Sequence, residues 1–120
     1  MKYMLLIHDS ETAWAALGRT EQQEIMAAYR RFSAEIRASG HYLAGSQLQP
    51  TSNATSVRVR NGKRLITDGP FAETREQLGG YYLVEAKDLD EAIGLAERLP
   101  SAPMGTIEIR PLAETTTAPA

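Results

Sequence analysis

Apolar residues recur along this chain in two periods, and the alternation of those periods lays out the elements. Residues 2–8 form a compact strand whose two faces are both apolar: Tyr3, Leu5 and Ile7 on one, Met4 and Leu6 on the other. Residues 9–19 read as a polar connection with Trp14 and Leu17 as isolated anchors. Thr20 and Gln23 stand at capping-box spacing. Ile25, Ala28, Tyr29, Phe32 and Ile36 then share one helical stripe, which Gly40 is placed to end. Residues 41–48 read as a second strand and 50–54 as a loop. Asn61-Gly62, between 57–60 and 63–67, is the dipeptide that a two-residue type I′ hairpin demands. Residues 81–85 are again a strand with two apolar faces. Asp88 and Glu91 repeat the cap signal, and Leu89, Ala92, Ile93, Ala96 and Leu99 stripe a second helix that Pro100 stops. Residues 106–110 alternate, with Ile107 and Ile109 facing inward. Residues 113–120 carry no apolar period and read as a flexible tail, leaving 1–112 as a single domain.

The order is β-α-β, an inserted hairpin, then β-α-β. An antiparallel sheet with two helices on one face, the ferredoxin-like α+β arrangement, accommodates that order. Two helices cover only one side of such a sheet. The first and third main strands are apolar on both sides, so the open face needs a cover of its own. A second copy packed sheet against sheet supplies it, and a homodimer through the open sheet face is expected.

Composition narrows the functions. The chain has 120 residues with 42% hydrophobic and 23% charged, as an ordinary globular domain does. Its net charge of −2 argues against direct nucleic-acid binding, which needs a basic face to neutralise phosphates. No apolar run is long enough to span a membrane, and nothing addresses the chain elsewhere, so a cytoplasmic location is the default expectation. There is no cysteine, and the two histidines form no ligand-spaced cluster, so neither a metal nor another cofactor is expected. Neither a Ser-His-Asp pattern nor a phosphate loop is present.

Candidate chemistry concentrates in two places. The stretch TDGPFAETREQLGG, residues 67–80, joins two strands and is longer and more polar than a turn needs. One reading is structural: Asp68 accepts backbone N–H bonds, Gly69 takes an unusual φ, and Pro70 fixes the exit. The other is a rigid platform that presents Asp68, Phe71, Glu73, Thr74 and Arg75 to a ligand. His8 and Asp9 end the first strand, where side chains reach the gap beneath the helices, but neighbours on a strand point to opposite faces and should not share a pocket. Tyr29 sits on the apolar stripe; if a cleft opens between helix and sheet, its hydroxyl faces it together with Asp9. The basic set Arg58, Arg60, Lys63 and Arg64 reads as a solvated edge that discourages strand addition, or as a dock for an acidic partner or for the acidic 68–76 loop of the other subunit.

The string TDGPFAETREQLGGYYLVEA, with the opening MKYMLLI, Ser39-Gly40-His41, Leu89-Asp90-Glu91-Ala92 and Ile107-Glu108-Ile109-Arg110-Pro111, resembles the DGPF branch of the YCII-related family over about the first 112 residues. The resemblance implies a dimeric α+β barrel of ferredoxin-like subunits. Many members of that branch are encoded beside or fused to extracytoplasmic-function sigma factors, implying a regulatory setting as the alternative to an enzyme. The wider family carries a His–Asp pair proposed for acid–base work. On this chain the Asp falls on Asp9 and the His on Tyr29. Arg75 stands where the branch usually has Lys. The expectation is a small polar or anionic ligand held in a cleft lined by Asp9, Tyr29 and the 68–76 loop. Cofactor-free isomerase- or lyase-like chemistry would rest on Asp9 as base, Tyr29 as donor and His8 as a further acid–base candidate.

Overall fold

The computed structural model describes residues 1–113; the expected flexible tail lies outside the described residues apart from Ala113. Four strands, β1 (Lys2–Asp9), β2 (Tyr42–Gln47), β5 (Gln77–Glu85) and β6 (Thr106–Pro111), form one antiparallel sheet in the order β2-β5-β1-β6. Helices α2 (Arg19–Ala38) and α3 (Leu89–Glu97) cross over between them. The strand order and the two crossovers are those of the ferredoxin-like fold, as the sequence periods require. Tyr3, Leu5, Ile7, Tyr82 and Val84 point toward the helices and are buried against Phe32, Ile36, Ala92, Leu95 and Leu99. The ring of Tyr82 meets Phe32 edge-on at 5.3 Å, and its hydroxyl bonds Ser33 at 2.6 Å. Register puts Met4 opposite Leu83 and Leu6 opposite Tyr81 on the other side, a half-buried apolar strip with no helix over it.

Three local expectations are corrected. Residues 9–19 are not irregular: a short helix α1 (Glu11–Ala16) forms because Ser10 caps it, accepting from the N–H of Ala13 at 3.1 Å. Helix α2 begins at Arg19 behind Gly18, so Thr20 and Gln23 do not form the capping box; the carbonyl of Gly18 already accepts from Gln22 N–H at 3.0 Å. Strand β5 starts at Gln77, with a bulge between Ile7 and His8 absorbing Gly79 in the register. The Asp88 cap forms as expected, accepting from Glu91 N–H at 2.9 Å.

Strands β3 (Thr55–Arg60) and β4 (Lys63–Asp68) make the hairpin, with Asn61 at φ 53° and Gly62 at φ 73°. It pairs only with itself and is a separate two-stranded sheet rather than an edge of the main one. The hairpin's foot is tied to the body through Glu11, whose carboxylate accepts from the N–H and hydroxyl of Thr51 at 2.8 and 2.6 Å.

Candidate functional site

The floor of the site comes from residues that have no side chain to fill it. On the helix-facing side of β2 and β5, Gly45 and Gly80 leave a hollow beneath α2. At Gly45 the close approach is needed, since a Cβ there would lie 2.9 Å from the ring of Tyr82. The result is a cavity of about 820 Å³ between α2, the sheet and the short helix α1. Tyr42, Tyr82 and Trp14 supply aromatic walls, and Arg30 and Arg37 stand at the rim. The guanidinium of Arg37 lies 4.4 Å over the ring of Tyr42, which fixes that cation at the mouth.

Asp9 and Tyr29 both face this cavity, and Ser101 joins them. The Ser101 hydroxyl donates to Asp9 Oδ2 at 3.3 Å, and the Tyr29 hydroxyl is bonded to Ser101 Oγ. A serine has one proton to give. With that proton directed at the carboxylate, Tyr29 is the donor to Ser101, and the chain runs Tyr29 to Ser101 to Asp9. Burial pushes the Asp9 carboxyl above the ordinary carboxylate value, and Glu76 and Glu11 push the same way, opposed by the Ser101 bond and by His8. Burial raises the Tyr29 phenol as well, so it stays protonated as a donor at neutral pH.

The turn after α3 places Ser101. Its carbonyl accepts from the N–H groups of Met104 and Gly105 at 3.0 and 2.7 Å, and Gly105 lies against the end of β1. Sequence reasoning did not single out Ser101. The signal was topological: a crossover from α3 to β6 must pass the carboxyl end of β1, so a polar residue in 98–105 falls beside Asp9.

His8 points away from this cavity, on the open sheet face, where Nε2 meets Glu108 Oε1 at 3.0 Å. The two neighbours do occupy opposite sides, as strand alternation requires. Thr74 and Arg75 border a shallow depression beside His8 and Glu108 rather than the cavity of Asp9. Asp68 and Glu73 are exposed, and Phe71 is 81% exposed. Within one subunit the 68–76 loop therefore does not line the cleft with Asp9 and Tyr29, because β5 leads it out at the sheet's end. The 68–69 turn rests on Gly69, at φ 96°, whose N–H donates to the Ala54 carbonyl at 2.7 Å and whose carbonyl accepts from Ser56 Oγ at 2.8 Å. The Asp68 carboxylate takes no part in those bonds.

Among the described residues no three metal-ligating side chains cluster, and no helix is long and apolar enough to cross a membrane. A structure of similar fold is the 5-chloro-2-hydroxyhydroquinone dehydrochlorinase of Burkholderia phenoliruptrix, in complex with 2,5-dihydroxybenzoquinone. It has a TM-score of 0.56 and 13% identity over 96% of each chain. In sequence, an uncharacterized protein of Rhizobium meliloti (strain 1021) is 35% identical over 115 residues, 94% of this chain and 93% of that protein. The model of the YCII-related domain matches residues 1–116. The chain belongs to the YCII-related domain family.

Proposed function

We propose that the cavity under α2 binds a small, planar, oxygen-bearing molecule and that Asp9 exchanges a proton with it. The observation that supports this best is the Tyr29–Ser101–Asp9 chain facing an aromatic-walled cavity with arginines at its rim. A carboxylate raised toward neutral pH is a better base than an exposed one, and raised carboxyls of this kind serve as acids and bases elsewhere. Asp9 takes a proton from a carbon beside a carbonyl and returns it to a neighbouring atom of the same molecule. That is an isomerisation, and it consumes no oxidant or second substrate. Arg30 and Arg37 hold the anionic oxygens, and the Tyr29–Ser101 pair keeps the Asp9 carboxylate aimed at the ligand. The dehydrochlorinase of similar fold is in complex with 2,5-dihydroxybenzoquinone, a planar oxygen-bearing molecule, which supports this choice of ligand class. The functional unit in this reading is a homodimer closed through the strip of Met4, Leu6, Tyr81 and Leu83, and the Asp68-Gly69-Pro70-Phe71 string supports membership of the DGPF branch of the family.

The test is Asp9→Asn. Because the folded carboxyl is raised above its unfolded value, the native state binds the proton more tightly, and stability falls as pH rises from the ordinary value through the raised one. The charged form is thus a burden at neutral pH. Asp9→Asn should melt at or above the wild-type temperature there, with the advantage fading in acid. Calorimetric titration with hydroxyquinones, dihydroxybenzenes and small keto acids should show binding to wild type that falls at least tenfold in the variant. If no compound binds wild type, or if Asp9→Asn destabilises the fold at neutral pH, the proposal fails.

A further inference from the structure

Beside the open sheet face, the hairpin is a second part of the described residues that its own subunit leaves uncovered. Register puts Val57 opposite Ile66 and Val59 opposite Arg64, so Val57, Val59 and Ile66 share one face with Arg64, and Asp68 stands at its foot opposite Thr55. Arg58, Arg60 and Lys63 share the other with Leu65. Val57, Val59 and Ile66 are 59, 61 and 55% exposed. An isolated two-stranded hairpin is marginal in water, and an apolar face on a projecting one calls for a partner.

The whole molecule carries the same signature. Its radius of gyration is 16.5 Å, whereas a compact chain of this length has about 13.5 Å. Its accessible surface is 8595 Å², about a third more than the roughly 6,400 Å² of a compact monomer of this mass. An excess on the order of 2,000 Å² per subunit is what an obligate homodimer covers.

Charge selects the partner. Arg58, Arg60, Lys63 and Arg64 are four of the 13 cationic side chains, while Asp68 at the foot is the single one of the 15 Asp and Glu within 55–68, so the remainder of the chain is acidic. A basic arm on an acidic body complements a second body of the same kind. We infer that the 55–68 hairpin is an exchanged arm: its apolar face docks on the body of a second copy of this chain, and by two-fold symmetry each subunit gives and receives one. This rests on the homodimer proposed above but does not follow from it, since sheet-to-sheet packing needs no arm.

The double variant Val57→Glu/Ile66→Glu tests it, because both side chains are exposed in the subunit and their replacement leaves its core untouched. Sedimentation equilibrium should show a wild-type dimer and a double variant that dimerises at least a hundredfold more weakly. Hydrogen exchange on the full chain should show the amides of 57–66 protected in the wild-type dimer and exposed in the variant. If the variant dimerises like wild type, or if the arm amides of a wild-type dimer exchange as freely as a loose hairpin, the arm docks elsewhere and the inference is wrong while the dimer stands. A monomeric wild type overturns both.

Discussion

Gly105→Ala is expected to unfold the protein or to lower its thermal midpoint by roughly 10 °C or more, since about 3 kcal/mol is lost and each kcal/mol moves a domain of this size by about 4 °C. A Cβ at Gly105 would lie 2.2 Å from the carbonyl oxygen of His8 and 3.2 Å from the Cα of Asp9. Both are backbone atoms of a central strand, so no side-chain rotation relieves the clash. Either the turn of residues 98–105 lifts away or the end of β1 bends. In both cases Ser101 withdraws from Asp9 and the proton chain opens. Circular dichroism melts of the variant measure the first effect. In any folded fraction, the titration of Asp9 measures the second. A variant as stable as wild type would mean that the turn does not lie where the structure puts it.

Leu6→Glu carries the second large effect. Leu6 sits in the middle of the open sheet face, with Tyr81 on one neighbouring strand and Glu108 on the other. In a dimer closed over this face the new carboxylate would be dry and unpaired. It would also stand beside Glu108, a like charge. Leaving such a charge buried costs about 3 kcal/mol or more, which weakens dimerisation at least a hundredfold. In the separate subunit the same side chain reaches water and costs little, so the two states are affected very differently. Sedimentation of wild type and variant across a range of concentrations reads this directly, and equal association of the two would remove the open face from the interface.

Where side-chain periodicity alone decides structure, the sequence was legible. The stripe of Phe32 and Ile36, the two-faced strands, the Asn61-Gly62 turn and the Asp88 cap each follow from a local rule, and each is present. Helix α1 was hidden because six residues with one isolated Trp show no period; Ser10 and the contact of Glu11 with Thr51 hold it. Helix α2 starts at Arg19 behind Gly18 with no side chain capping it, so the Thr20–Gln23 spacing is not used as a cap. The candidate site divided along the same line. Asp9 and Tyr29 were visible as polar groups at a strand end and on a helix stripe. Ser101, which joins them, lies 92 residues from Asp9 in a turn, and only the crossover topology brings the two together. The 68–76 loop misled in the opposite way. Its residues look like one site in sequence, yet within one subunit Thr74, Arg75 and Glu76 border the depression beside His8 and Glu108, and Glu76 reaches Asp9 only through its charge.

The Asp9 carboxyl is the centre of the functional account, and its titration by carbon-detected magnetic resonance is the most direct test. The structure predicts an inflection above the ordinary carboxylate value. It also predicts that a saturating hydroxyquinone or keto acid shifts the Asp9 signal together with those of Tyr29 and Ser101. An Asp9 that titrates at the ordinary value and is indifferent to every ligand that binds the protein would contradict the account.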